Sequence, residues 1–519
     1  MAILDIFVEI IRRSGSRRRR NRVLNETDDL NDSNRNVAEY GSAPIEAFMP
    51  TSSESNILVS GSNGDLRDRV CCAAAWKCAQ DGRGALILHC GNGTLTDRMQ
   101  DVFRGESNFL CIDRDNPVYD PFIDLEKTEI AQLMISSSAQ TERIESIGSS
   151  YIYGMYDYLG HIGRPICAET LYNCMRNRSH EQIEQDCADG YIPEYLAMRI
   201  QSELAQGQME KGSVEQYLNI PHMQGQGLLC TERNFDYATS IRKALRERKI
   251  VMIDVSTISN HLLLDVIAQE IAAAMLDRSD FSVIVNSLSA NATPNFYRQM
   301  EALSGRRRLV YVSTDAYADL ESGNGQVAFM SILGRSDLVV ALRHYSSISA
   351  QRFSDFFGRY ERREWTRQMS QGRNGDFGDI FRGGHSNSSD NESLRMCNRL
   401  EESEISAQDQ DHAFIKRSDI NEIISVEIVS GDARRNYSLP VPQSRWRRRN
   451  RSNNARNTNA NPSGGINWGV FILLLLFLTP FAFLYLFVRG GRMAKTFAVI
   501  AFILMLLGVS YVISINAIQ

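Results

Sequence analysis

Residues 56–95 read NILVSGSNGDLRDRVCCAAAWKCAQDGRGALILHCGNGTL. An apolar run from Ile57 to Ser60 enters a turn of small residues, Gly61 to Gly64. Helix-like spacing then continues through Cys78, and a second apolar run follows from Ala85 to Leu88. This is a strand, loop, helix, strand unit with its small-residue turn directly after the first strand.

A turn in that place can cradle phosphate with backbone N–H groups at a helix N-terminus, as the pattern G-x-x-x-x-G-K-[ST] does. Aligned from Gly61, the chain reads G-S-N-G-D-L-R-D, namely Gly61, Ser62, Asn63, Gly64, Asp65, Leu66, Arg67 and Asp68. Leu66 replaces the second glycine, Arg67 the lysine, and Asp68 the hydroxyl that would ligate Mg²⁺. Asp65 and Asp68 suit a helix start but oppose a triphosphate. The pattern keeps the shape of a P-loop and loses its chemistry.

Working outward, apolar runs at Asn108–Ile112, Lys249–Val255, Phe281–Val285, Leu309–Ser313 and Leu338–Leu342 alternate with helical patterns, which predicts an α/β fold with a parallel sheet covered on both faces. Between Leu125 and Phe235 the pattern is of polar-rich helices without strands. Sequence boundaries follow: a basic amphipathic segment at 1–22, a linker at 23–55, a P-loop-like domain at 56–125 and 236–370, and an inserted all-helical domain at 126–235. A flexible loop (371–411), a closing element (412–440) and a basic tether (441–467) come next.

Two charge-free apolar segments, 468–488 and 496–515, are each about as long as a bilayer-spanning helix requires. They predict a C-terminal transmembrane hairpin. Six arginines between Arg445 and Arg456 favour a cytoplasmic location for the large N-terminal region. Pro480 permits a kink or a re-entrant hairpin. The N-terminal MAILDIFVEIIRR is too short to span and suits either an anionic membrane interface or a protein partner.

The 519 residues carry a net charge of −5, with basic clusters at Arg12–Arg22 and Arg445–Arg456 around a mildly acidic body. Such a body argues against tight, sequence-independent duplex binding, so DNA is weakly supported as a partner. The 10 cysteines show no CxxC pair or metal-ligand spacing, and no metal site or catalytic constellation is read from them. Cys71, Cys72 and Cys78 read as small buried thiols on one helix.

A P-loop ATPase also needs acidic residues at the end of a neighbouring strand. FSVIVNSLSA is the best candidate, and it ends in Asn286 and Ser287. In RRRLVYVSTDAYADL, Asp315 stands where such enzymes carry a glutamine that senses the γ-phosphate.

The order of these pieces resembles the type IV coupling proteins, the TraG/TraD group of conjugative-transfer ATPases within the FtsK/HerA-like P-loop class. NILVSGSNGDLRDRV is similar to their first strand and P-loop, ALILHCGNGTLTDRM to their second strand and "DPKGEL" turn, and FLCIDRDNPVYDPFIDL to their "YNPF" segment. SIRKALRERKIVMIDVSTISNHLLLDVIAQEI resembles their re-entry into the sheet. FSVIVNSLSA through FSDFFGRYE resembles their Walker B and glutamine strands, and IKRSDINEIISVEIV their closing element.

The resemblance spans Asn56 to Val429 and implies a RecA-like P-loop NTPase fold. It implies partners in a conjugation or type IV secretion apparatus, including an active ATPase paralogue, with oligomers expected. Every position of ATP chemistry is changed: Leu66, Arg67, Asp68, Asn286, Ser287 and Asp315. These changes favour a membrane-anchored pseudo-ATPase that scaffolds, adapts or regulates, with no cofactor expected unless the pocket at Gly61–Asp68 retains binding of ATP and Mg²⁺ as a structural device. Two alternatives stand beside it: a divergent ATPase that binds ATP and Mg²⁺ and translocates DNA or protein, and a membrane oligomer with a docking or gating soluble domain.

Overall fold

A computed structural model of the protein describes residues 28, 30–91, 94–138, 148–176, 179–224, 227–256, 261–288, 292–321, 328–370 and 387–442. The N-terminal segment 1–22, most of the tether and the segments 468–488 and 496–515 lie outside them. Among the described residues no helix is long and apolar enough to cross a membrane.

The strands are β1 (Val37–Pro44), β2 (Ile57–Ser60), β3 (Gly84–His89), β4 (Phe109–Ile112), β5 (Ile250–Asp254), β6 (Phe281–Asn286), β7 (Leu309–Ser313), β8 (Leu338–Ala341), β9 (Arg359–Ser370), β10 (Asn387–Asn398), β11 (His412–Arg417) and β12 (Ile423–Val429). Ten of them form one sheet in the order β1-β12-β11-β8-β2-β7-β6-β3-β5-β4.

From β8 to β4 every pairing is parallel. Successive residues of a strand point to opposite faces, and both faces are apolar. Leu86 and Leu88 enter one core while Ala85 and Ile87 enter the other. Helices His261–Leu276, Pro294–Gly305 and Ser347–Phe357 cover the first core, and helices Gly64–Gln80 and Leu95–Val102 the second. The strand runs therefore read as unbroken apolar segments.

Three expectations from the sequence need correction. The sheet is mixed, because β11 runs antiparallel to both β8 and β12. A short connection between Arg417 and Ile423 turns the chain straight back, which a parallel pair could not do.

Within the expected linker 23–55, residues 37–44 form β1, paired in parallel with β12. The physical reason is a set of apolar side chains set among polar neighbours. Tyr40, Ile45 and Phe48 are buried in the second core, and Glu46 meets Arg69 of helix Gly64–Gln80 at 2.6 Å.

Within the expected loop 371–411, residues 387–398 form β10, which pairs antiparallel with β9, and residues 402–407 form a helix. Segment 371–386 lies outside the described residues.

Between Lys127 and Gln224 the named elements are all helical. Their core, built from Ile152, Met155, Leu171, Ile200 and Tyr217, is continuous with Leu262 and Val266 of helix His261–Leu276. That helix thus carries the sheet core on one side and the inserted helices on the other.

Candidate functional site

The carboxyl ends of β2, β6, β7 and β8 lie side by side, the usual place for a ligand crevice in a parallel sheet. The turn after β2 sits there. Gly61 has φ +139°, and a Cβ on it would collide with Leu342 Cβ, so only glycine fits. Its N–H donates to the Ser313 carbonyl at 3.1 Å, and the Ser62 N–H donates to the Arg343 carbonyl at 2.9 Å. The helix begins at Gly64, capped by Asn63, whose Oδ1 accepts the Leu66 N–H at 3.1 Å. The Asn63 carbonyl accepts the Arg67 N–H at 3.2 Å.

These bonds define a tight turn with its helix starting three residues after Gly61. In the aligned template the second glycine comes only five residues after the first. The N–H groups of Gly61, Ser62, Leu66 and Arg67 are committed to protein acceptors. Leu66, in the place of that glycine, is buried in the second core. Asp65 is exposed and forms an ion pair with Arg98.

Arg67, Asp68, Asn286 and Ser287 meet in one network. Arg67 Nη1 donates to Ser287 Oγ at 3.2 Å and to Thr314 Oγ1. Burial lowers the pKa of its guanidinium, opposed chiefly by the nearby Asp68 carboxylate. Asp68 is buried; its Oδ1 accepts the Asn286 amide at 3.1 Å, and its Oδ2 accepts the Thr94 hydroxyl at 3.2 Å. Ser287 Oγ donates to Asn286 Oδ1 at 3.2 Å. Ser287 has φ +58°, and its side chain leaves no room for a Cβ on Gly91. The ends of β3 and β6 are joined by the Cys90 N–H, which donates to the Asn286 carbonyl at 3.0 Å.

Asp315 stands apart from that network. It caps helix Ala316–Glu321 by accepting the Ala318 N–H at 3.1 Å, and it accepts Ser349 Oγ at 2.7 Å and 2.8 Å on its two oxygens. Its carboxylate is therefore turned toward helix Ser347–Phe357.

Three further side chains, Asp319, His344 and His89, belong to the site. Asp319 accepts the Tyr311 hydroxyl at 3.0 Å and the Ser313 hydroxyl, and burial raises its pKa. Its spacing of four from Asp315 on one short helix was the only clue. His344 is buried and stacks on Phe353 with ring centroids 5.0 Å apart. Burial pushes its pKa down to about 4, opposed by the charge of Asp315. His89, at the end of β3, is likewise buried, and burial lowers its pKa.

No protein-family model matches the chain, and no curated protein matches it. Among solved structures it is similar to the bacterial conjugative coupling protein TrwB in its sulphate-bound trigonal form, at 10% identity and a TM-score of 0.46, with 76% of this chain and 87% of that one covered. It is similar to plasmid coupling protein TrwB in complex with ADP and Mg²⁺ at 12% identity and a TM-score of 0.46, covering 76% and 89% of the two chains. VirB4 of Thermoanaerobacter pseudethanolicus is similar at 10% identity and a TM-score of 0.41, with 73% and 90% covered.

Proposed function

We propose that this protein is a catalytically inactive, membrane-anchored relative of the coupling-protein ATPases, acting as a scaffold, adaptor or regulatory subunit of a conjugation or type IV secretion-like apparatus. The observation that carries the inactive reading is the Asp68–Asn286 contact. A metal-nucleotide site needs a hydroxyl on the helix and a carboxylate on the strand, both open to Mg²⁺. Here the carboxylate is on the helix and the amide on the strand, and each group satisfies the other.

The residues present do not fit Mg-triphosphate. A γ-phosphate brought to Arg67 would have to displace its bonds to Ser287 and Thr314 and face the buried charge of Asp68. In the turn, the N–H groups of Gly61, Ser62, Leu66 and Arg67 already have protein acceptors that a phosphate would have to replace. In this reading the helical insertion and the outer surface of the sheet domain bind partner proteins, an active ATPase among them. The segments 468–488 and 496–515 hold the chain at the membrane, with the large domain on the cytoplasmic side.

The test uses the full chain purified in detergent, with thermal unfolding followed as ATP and Mg²⁺ are titrated and phosphate release measured in parallel. A ligand that binds only the folded state raises the midpoint with concentration. The expected result is no concentration-dependent shift and no release above that of an Arg67→Ala variant. Release that disappears in Arg67→Ala would establish the divergent-ATPase alternative.

A further inference from the structure

The inserted helices leave and rejoin the sheet domain through a narrow neck. The outgoing segment is held by four backbone bonds: Tyr119 N–H to Leu228 O at 3.0 Å, Asp120 N–H to Thr239 O at 3.0 Å, Cys230 N–H to Tyr119 O at 2.8 Å, and Thr239 N–H to Val118 O at 2.9 Å. Where these segments touch the first turn of helix Ala168–Arg176, three buried side chains converge. Asp120, Cys167 and Cys230 are 0%, 0% and 2% exposed, and one carboxylate oxygen and the two sulfurs all lie within 4.8 Å of one another.

The spacing suits a metal ion. A tetrahedral ion with metal–sulfur bonds of about 2.3 Å and metal–oxygen bonds of about 2.0–2.2 Å separates its ligand atoms by roughly 3.5–3.8 Å. Cys230 Sγ lies 3.7 Å from Asp120 Oδ2. Thr170 Oγ1 lies 3.4 Å from Cys167 Sγ but is engaged, donating to the Pro165 carbonyl at 2.6 Å and accepting the Cys167 N–H at 3.0 Å, which leaves the fourth corner to a water.

A purely structural role for Asp120 accounts for part of the arrangement. Its Oδ2 accepts the Ala168 N–H and its Oδ1 the Phe122 N–H, each at 2.8 Å, which caps the helix from a distance. Those bonds occupy one lone pair on each oxygen and leave others directed elsewhere.

We propose that Asp120, Cys167 and Cys230 bind a divalent, thiophilic cation of the Zn²⁺ class, which staples the neck of the helical insertion to the sheet domain. Binding forms two metal–sulfur bonds and one metal–oxygen bond. The two thiol protons pass to solvent, and the dication with two thiolates and one carboxylate leaves a net charge of −1, tempered by the N–H donors of Ala168 and Phe122. Soft sulfur with one carboxylate selects zinc over magnesium or calcium.

The experiment uses the full chain, purified without chelator and supplied with ZnSO₄, followed by dialysis, elemental analysis and zinc K-edge X-ray absorption. One zinc per chain with a first shell of two sulfurs and two oxygens is expected. Cobalt in place of zinc should give a thiolate-to-metal charge-transfer band in the near ultraviolet. Asp120→Asn should weaken binding by about tenfold or more, and the Cys167→Ser/Cys230→Ser double variant should abolish the band. Cys71→Ser/Cys72→Ser should leave it unchanged. No retained zinc, a four-sulfur shell, or zinc retained by the Cys167→Ser/Cys230→Ser variant would each overturn the proposal. Should the double variant fail to fold, the sulfur count on the unaltered protein decides alone.

Discussion

Asn286, at the end of β6, donates its side-chain amide to Asp68 Oδ1 on helix Gly64–Gln80 across 3.1 Å. The contact joins the two places where the sequence resemblance would put a metal-binding strand end and a metal-binding helix, and both side chains are buried. An amide facing a carboxylate needs no cation between them. Two carboxylates would.

That geometry makes Asn286→Asp informative. The substitution removes a donor and sets two buried carboxyl groups in contact, so one of them must take up a proton or lose its partner. A loss of about 1–3 kcal/mol is expected near pH 8, read as a shift of the guanidinium midpoint. The introduced carboxyl titrates above its ordinary value, so the penalty grows as pH rises and shrinks toward pH 5. A penalty constant across that range would mean the side chains do not touch.

Gly61 and Gly82 both have positive φ, at +139° and +68°, yet only Gly61 is crowded, by Leu342 Cβ. Alanine at Gly82 therefore pays only the backbone strain, about 1 kcal/mol. Alanine at Gly61 must also push β2 away from the end of β8, breaking the bond from Ser62 to Arg343. Gly61→Ala should lose clearly more stability than Gly82→Ala in chemical denaturation. Equal losses would show that the turn is looser than described.

His344 ties stability to acid. Burial, opposed by Asp315, pushes its pKa down to about 4, whereas in the unfolded chain it returns to about 6.5. Between those values the unfolded state binds more protons, so stability falls as pH drops through that window and His344 adds no further loss below it. His344→Gln should reduce the difference in unfolding free energy between pH 7.5 and pH 4.5 by on the order of 2–3 kcal/mol. An unchanged difference would mean the imidazole is protonated in the folded protein.

The strands from β2 to β8 were legible because each is a short apolar run between turn residues, and burial on both faces leaves no polar alternation to confuse them. β1 was not, since its sequence VAEYGSAP mixes polar and small residues and is a strand only because β12 lies beside it. At the candidate site, the substitutions at Leu66, Arg67, Asp68, Asn286 and Ser287 were visible in sequence. Their mutual satisfaction was not, because Asp68 and Asn286 are brought together only by the sheet order. The same holds at the neck. Asp120, Cys167 and Cys230 share no spacing that a motif search could find, since each lies on a different segment.

Glu270 gives the opposite sign to His344. It sits on helix His261–Leu276, accepting the Tyr119 hydroxyl at 2.6 Å and the Arg242 N–H at 3.2 Å. Burial pushes its carboxyl up to about 8, despite those donors. The folded state holds its proton between the unfolded value near 4.5 and about 8, so stability is fully present below the first and is lost as pH rises toward the second. Glu270→Gln keeps an oxygen to accept from Tyr119 and removes the titration. The variant should gain on the parent chain as pH rises from 5 to 8, by on the order of 4 kcal/mol at the alkaline end. Parallel stability curves for the two proteins would mean that Glu270 is ionised where it lies, with water reaching it between the inserted helices and the sheet domain.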